Sequence, residues 1–426
     1  MDLLTFLSIL AFLFFILGLP IAFSMIVSSV LYALFNDVNL TFMAMTLFSS
    51  LDTFVLIAVP LFLLASELMT ESTVAERIFA FANALVGHLP GGLGHVNVCA
   101  NVIFAGMSGS AVADAAGIGN VCLKSMTKEG FDEPFSAAVT GAAAIIGPII
   151  PPSIPMVIYA MVANQSVGKL FLGGVLPGLI MALSLMIYIY FISKARNYPI
   201  GPRVNLKNLW RALRASILPL LTPVILLGSI YGGFCTVTEA AAIAVLYVII
   251  LGAFVYGAIG PKTLLSAVKR TLITFGPVMF IFPAAKLVGY VLNLENVPEL
   301  FGTIMMNFVG SPLIILLLIN GLFLVLGCFS DPITNILLFV PIVLPLSKAI
   351  HMDPIHFGVM VVLNCMIGLN TPPVGQVLIT LKGLCKISYE EIIHAMWPFI
   401  FILIVDLFII VVFPSTVTYI PNLFYK

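Results

Sequence analysis

The chain has 426 residues, 61% hydrophobic and only 8% charged, and 18 basic side chains balance 18 acidic ones for a net charge of +0. With a mean hydropathy of +1.19 and apolar runs recurring from end to end, it is an all-α polytopic membrane protein, since lipid offers backbone groups no partners and the runs must cross as helices. The charges sit mostly in short connections and no basic stripe with interleaved aromatics occurs, which argues against nucleic acid as a partner.

The N-terminus lacks a basic stretch and opens an apolar run over 3–34, which predicts a first spanning helix and not a cleaved signal. A mildly amphipathic piece over 41–52, a span over 53–69 and a connecting helix over 73–89 follow, closed by a turn at 88–94. Then comes a polar interruption. Limbs over 95–104 and 111–125 flank a tip at 106–110, and each is short of the ~20 residues a full crossing needs, so they predict a re-entrant hairpin. Segments 135–146 and 154–164 flank a second interruption, where Pro148, Pro151, Pro152 and Pro155 deprive a helix of donors and open it. A span over 170–192 ends this half.

Residues 194–214 hold six basic side chains and no acid, which places them in the cytoplasm and, if an odd number of crossings precede them, the N-terminus in the periplasm. Spans over 217–231, 239–256 and 271–292 lead to a second hairpin, with limbs at 313–326 and 336–346 around a tip at 327–335. A second broken helix follows, 357–366 and 376–382 around 368–375, and a last span over 397–413.

The two sets of breaks are copies. A shift of 221 positions carries Gly106, Ser110 and Asp114 onto Gly327, Asp331 and Asn335, and Gly147 and Pro151-Pro152 onto Gly368 and Pro372-Pro373. Paired broken segments, one pair per half, point to a secondary transporter whose site lies where the breaks meet. With inverted repeats, the two re-entrant hairpins and two discontinuous helices bring their tips together near the midplane. The expected division is 1–94, N-terminal scaffold helices; 95–170, first hairpin and broken helix; 171–312, linking and scaffold helices with the basic 194–214; 313–390, second hairpin and broken helix; and 391–426, C-terminal helix.

A half-helix starting in mid-membrane presents N–H groups and one stopping there presents carbonyls, so carboxylates and cations both find partners. Neutral oxygens suit a hard cation such as sodium. Two sodium sites are expected, one from Ser108, Ser110 and the carbonyls from Gly147 through Ile150 to Pro151, the other from Ser330, Asp331, Thr334 and the carbonyls around Gly368, Asn370 and Thr371. Substrate would lie between them, near Ser108, Asp114, Ser153, Asn335 and Gly375. The plainer alternative is that these hydroxyls bond back to their own helices. Lys286 is either a counter-charge for an anionic substrate or the partner of Glu67, and Asp114 and Asp331 are expected to hold the tips as caps. His351, His356 and His394 read as interfacial, and the six cysteines as packing residues without metal or disulfide spacing.

Two other classes compete. A passive carrier or channel could use the same breaks, and Gly106-Met-Ser108-Gly109 fits the Gly-x-Ser-Gly of intramembrane serine hydrolases. Against the latter, Ser108 maps onto Phe329 in the second copy. Gly91-Gly-Leu-Gly94 is not followed by Gly-Lys-Ser/Thr, so ATP is not expected as the driver, and no cofactor is expected beyond sodium as coupling ion.

The stretches Gly106-Met-Ser-Gly-Ser-Ala-Val-Ala-Asp114, Gly147-Pro-Ile-Ile-Pro-Pro-Ser153 and Asn370-Thr-Pro-Pro-Val-Gly375 resemble the large membrane subunit of the tripartite ATP-independent periplasmic (TRAP) transporters, and the resemblance runs along essentially the whole chain. It implies sodium-driven import of an organic acid across the bacterial inner membrane, with a periplasmic substrate-binding protein and a small four-helix membrane subunit as partners. It further implies an elevator in which hairpins and broken helices slide against a scaffold. The chain is similar to the unfused form, so the small subunit would be separate and would meet the N-terminal spans. Likeness over 95–174 favours a sialic acid over a C4-dicarboxylate as substrate.

Overall fold

Eight helices among the described residues are long and apolar enough to cross a bilayer, from Phe54–Glu71 to Tyr389–Val412. They belong to a computed structural model that describes residues 2–203, 205–300, 302–303 and 311–425. The run over 3–34 is not one helix. Leu3–Ala11 passes into a π-helical turn at Phe12–Ile16, and a new helix, Ile21–Phe35, starts after Pro20. Gly18, at φ +65°, turns the chain left-handed, and Pro20 removes a donor where the helix would have continued.

Two spans are longer than expected. Asn205 accepts from the Lys207 N–H and starts a helix at Leu206–Tyr231, so Lys207, Arg211 and Arg214 ride on its first turns. Pro261–Leu294 is one helix of 34 residues, with Pro277 and Pro283 inside it.

Both halves repeat the same sequence of elements. In the first, Gly92–Ser108 turns into Ala111–Asp114, which continues through the π-helical turn Ala115–Gly119 to Asn120–Lys128, and Glu133–Ala144 is followed after a break by Ile154–Ala163. In the second, Pro312–Phe329 turns into Pro332–Ala349, and Pro354–Gly368 is followed by Gln376–Leu384. The paired bonds Pro151-Pro152 and Pro372-Pro373 are both cis. The hairpin limbs exceed expectation. Pro312–Phe329 and Pro332–Ala349 have 18 residues each, long enough by length and composition to cross, and the second tip shrinks to Ser330 and Asp331, because Gly327 to Phe329 and Pro332 to Asn335 are helical.

Buried amides hold each hairpin to its broken helix. Asn97 donates to the Thr140 hydroxyl at 2.7 Å in the first half, and Asn364 to the Asn320 side chain at 2.6 Å in the second. In an apolar surrounding such bonds orient helices that lipid alone would not. The halves also interlock. Asn370 Nδ2 donates across to the Gly141 carbonyl at 2.8 Å, Tyr159 donates to the Pro354 carbonyl at 2.8 Å, and Gln376–Leu384 packs on Ala111–Asp114 and Glu133–Ala144.

Glu67 does not pair with Lys286. Its carboxylate takes Arg270 Nε at 2.7 Å, and Arg270 Nη2 reaches Glu71 at 2.5 Å. Glu67 and Glu71 stand one turn apart on one helix and Arg270 faces them from another, so this clamp fixes Pro261–Leu294 against Ala58–Glu71. Arg270→Gln is expected to lower stability by about 1 kcal/mol, the range of half-exposed ion-pair networks, read as a lower thermal midpoint in detergent. His356 stands in the first turn of Pro354–Gly368. It is buried, with Nε2 on the Ile410 carbonyl at 2.8 Å.

Candidate functional site

The first hairpin turns within two residues. Gly109 takes φ +68°, a left-handed conformation that side chains resist, and a Cβ there would stand 2.6 Å from the Pro152 carbonyl oxygen. The tip therefore sits directly on the first broken helix. Ser110 is extended and caps the next helix, its hydroxyl accepting from Ala113 N–H at 3.4 Å. Ser108 is fully buried and its hydroxyl closes the turn, accepting from Ser110 N–H at 3.3 Å. In the break itself Ser153 is buried, donates to the Pro148 carbonyl and accepts from Met156 N–H at 3.3 Å, while Ile150 packs where a Cβ on Gly178 would stand.

Asp331, the counterpart of Ser110, caps the equivalent helix. One carboxylate oxygen accepts from Ile333 and Thr334 N–H at 3.0 and 3.1 Å, and the other accepts from the Thr334 hydroxyl. Behind it, the Ser330 hydroxyl donates to Asn335 Oδ1 and Thr371 bonds back to the Ile367 carbonyl at 2.8 Å. Gly375 N–H donates to the Cys328 carbonyl at 3.2 Å, and Gly327 and Gly368 touch backbone to backbone. The second tip is thus seated on the second break as the first is on its own.

At one point the copies differ. Asn335 is satisfied by Ser330, but the equivalent pair in the first half is Asp114 and Gly109, and glycine has no hydroxyl to offer. Asp114 is 0% exposed. The Ser108 hydroxyl is close enough to interact with its carboxyl, yet neither carboxyl oxygen has a partner in ordinary hydrogen-bonding geometry among the described residues. Gly147 leaves room for it, since a Cβ there would overlap Oδ2. An ionised carboxylate buried alone is costly, so this carboxyl is either protonated or balanced by a cation. Asn370, also 0% exposed, has its Oδ1 without a partner.

The tips meet. A cavity of about 310 Å³ is lined by Gly109 and Ser110 from one and Asp331 from the other, with Pro148, Gln376 and Thr274 in a wall that is otherwise mostly apolar. The helix N-terminus capped by Ser110 ends on it, where such an end favours an anion, whereas the other already carries the Asp331 carboxylate. Asp114, Ser153, Asn335 and Gly375 do not line it; they stand behind the walls and shape the tips. Lys286 lines a different cavity. Gln376 and Thr274 were not anticipated, and Gln376 had a signal, being the first residue after the second break.

The sequence profile of the "Tripartite ATP-independent periplasmic transporter, DctM component" matches residues 8–416. The chain belongs to this family. It is 40% identical to the sialic acid TRAP transporter large permease protein of Vibrio cholerae over 96% of each chain, and 38% identical to the C4-dicarboxylate TRAP transporter large permease protein of the same species over 96% of this chain and 95% of that one. Against the sialic acid TRAP transporter permease protein of Haemophilus influenzae the identity is 38%, over 96% of this chain and 66% of the longer relative. Among solved structures, the YdaH transporter of Alcanivorax borkumensis shares the fold at TM-score 0.61 and 15% identity over 89% of both chains, and MtrF of Neisseria gonorrhoeae at TM-score 0.55 and 12% identity over 87% of this chain and 82% of that one. This TRAP large permease is therefore a multi-pass inner-membrane protein and a transporter component, not an enzyme, which sets aside the hydrolase reading of Ser108.

Proposed function

We propose that this TRAP large permease imports an organic acid on an inward sodium gradient, with the acid held between the two tips. The observation that carries the reading is Asp114, a buried carboxyl one helical turn on from Ser110 whose oxygens have no partner in ordinary hydrogen-bonding geometry among the described residues. Sodium there, with the Ser108 hydroxyl and carbonyls from Gly147 to Pro151, would neutralise the buried charge and fix the first tip. The second site would draw on Ser330, Thr334 and the region from Gly368 to Thr371, with Asp331 committed to its cap. The buried, unpartnered Asn370 Oδ1 is a neutral oxygen of the kind a hard cation takes.

Each hairpin with its broken helix makes one unit, and the two units interlock through Asn370 and Gly141. Such a body can move as a whole against helices such as Pro261–Leu294, as an elevator requires. Limbs whose tips share one cavity, rather than ending at opposite membrane faces, favour re-entrant hairpins. A periplasmic binding protein would deliver the acid and a separate small membrane subunit would brace the N-terminal spans, whose Leu4, Phe12, Ile16, Phe42 and Phe48 are exposed. The part of the Haemophilus influenzae relative that lies outside this chain's match is where such a subunit would be fused. A sialic acid is favoured over a C4-dicarboxylate by the identities of 40% and 38%, a narrow margin.

Proteoliposomes holding this chain, a small subunit and a binding protein loaded with N-acetylneuraminate or succinate test the reading. Concentrative uptake should require inward sodium, and Ser110→Ala should reduce it about tenfold, because a lost cap of ~1 to 2 kcal/mol loosens the tip. Uptake that merely equilibrates without sodium would leave a passive carrier instead.

A further inference from the structure

We propose that a second cavity, on the periplasmic side of the tips, is an anion antechamber in which Lys286 holds the carboxylate of an arriving organic acid. The inference rests on the import function proposed above and adds a separate site to it. The cavity measures about 550 Å³ against about 310 Å³ for the one between the tips, a volume in the range of small-molecule sites. Hydroxyls of Thr46, Ser49 and Thr53, the amides of Asn164 and Gln165, and Lys286 line it, and no acid does. The Lys286 ammonium is exposed, 5.8 Å from the centre of the Phe282 ring, and no carboxylate of the described residues pairs with it. Glu67, the acid expected to neutralise it, is held by Arg270. One unpaired cation amid neutral polar groups is the chemistry that receives a carboxylate.

The two cavities are consecutive along two helices. On Pro261–Leu294, Thr274 to Ile281 face the tip cavity and Phe282 and Lys286 face this one; on Ile154–Ala163, Ile154 and Pro155 face the first and Ala160 and Met161 the second. From Ile281 to Lys286 the helix rises only ~7.5 Å. Sidedness follows from the basic cytoplasmic segment. Val167–Ala195 ends at that segment, Leu206–Tyr231 leaves it, Val237–Val255 returns, and Pro261–Leu294 leaves again. Asn164, Gln165 and the Lys286 end of its helix therefore lie toward the periplasm, where substrate arrives.

The test is the rate at which a water-soluble amine-acylating reagent modifies Lys286 in the purified full chain, read by peptide mass spectrometry with succinate or N-acetylneuraminate present. The acid should slow modification at least threefold, equally in sodium and in choline, and should do so in Ser110→Ala as well. Protection that needs sodium or vanishes in Ser110→Ala overturns the proposal, because the acid would then act from the tips. So does an unchanged rate with both acids. Nanodiscs with and without phosphatidylglycerol form the third arm: protection by that lipid alone, with no further effect of the acid, assigns the cavity to a lipid headgroup. In uptake, Lys286→Gln should raise the half-saturating concentration several-fold and Lys286→Arg should restore it. If sodium coupling itself fails, the labelling still reads the antechamber.

Discussion

Asp114→Asn is expected to abolish sodium stimulation of uptake while leaving the protein folded. Asparagine keeps the shape of the side chain and removes its charge, and the second copy already carries an asparagine at the equivalent position, Asn335. The wild-type carboxyl is buried and has no partner in ordinary hydrogen-bonding geometry among the described residues, so a cation bound there would stabilise the folded protein over its unfolded chain. At a sodium concentration 100 times the dissociation constant that stabilisation is about 2.7 kcal/mol. A thermal midpoint that climbs with sodium in wild type and climbs less in the variant, by the share that the first site contributes, would locate one ion at the first tip without any transport measurement. A variant whose midpoint climbs as wild type does would remove Asp114 from the sodium site. Replacing the cation by choline in the wild type, which empties both proposed sites, should flatten the response altogether.

The difference between the copies was readable beforehand in the same shift that reveals the repeat, since position 109 is glycine where position 330 is serine. What sequence could not display is that Ser330 bonds Asn335, which alone makes the missing hydroxyl matter. Glycine and proline mark breaks strongly because each acts on its own backbone, which is why both tips and both broken helices were legible, and why Ser110 and Asp331 fell where caps are needed. Charges mark helix ends less well. The basic run over 194–214 concealed the start at Leu206, although Asn205 before it is an ordinary cap residue. Pairings across helices were illegible, because Arg270 lies 203 positions from Glu67 and nothing local distinguishes it from Lys286 as a partner. The wall residue Thr274 was missed for the same reason, its role coming only from the helix that carries it past the tips.

Gly368→Ala is expected to be strongly damaging to the transport unit. At the end of Pro354–Gly368 the added Cβ would lie 2.5 Å from both Cα and the carbonyl carbon of Gly327, and backbone cannot rotate away as a side-chain end can. The hairpin limb Pro312–Phe329 would have to shift off the broken helix. That shift pulls on Cys328, whose carbonyl accepts from Gly375 N–H, and so on Ser330 and Asp331 at the tip. Overpacking of this kind costs typically 1 to 3 kcal/mol, and close helix crossings in membranes depend on such small residues. Gly383→Ala is the control, since a Cβ there meets nothing within 4 Å and lies in the helix Gln376–Leu384; it should be neutral or gain up to ~1 kcal/mol. A thermal midpoint lowered by several degrees in Gly368→Ala alone, with sodium-driven uptake lost, would tie the crossing to the second tip. Equal midpoints in the two variants would mean that the two helices separate at no cost, and that the tip is held by its own cap instead.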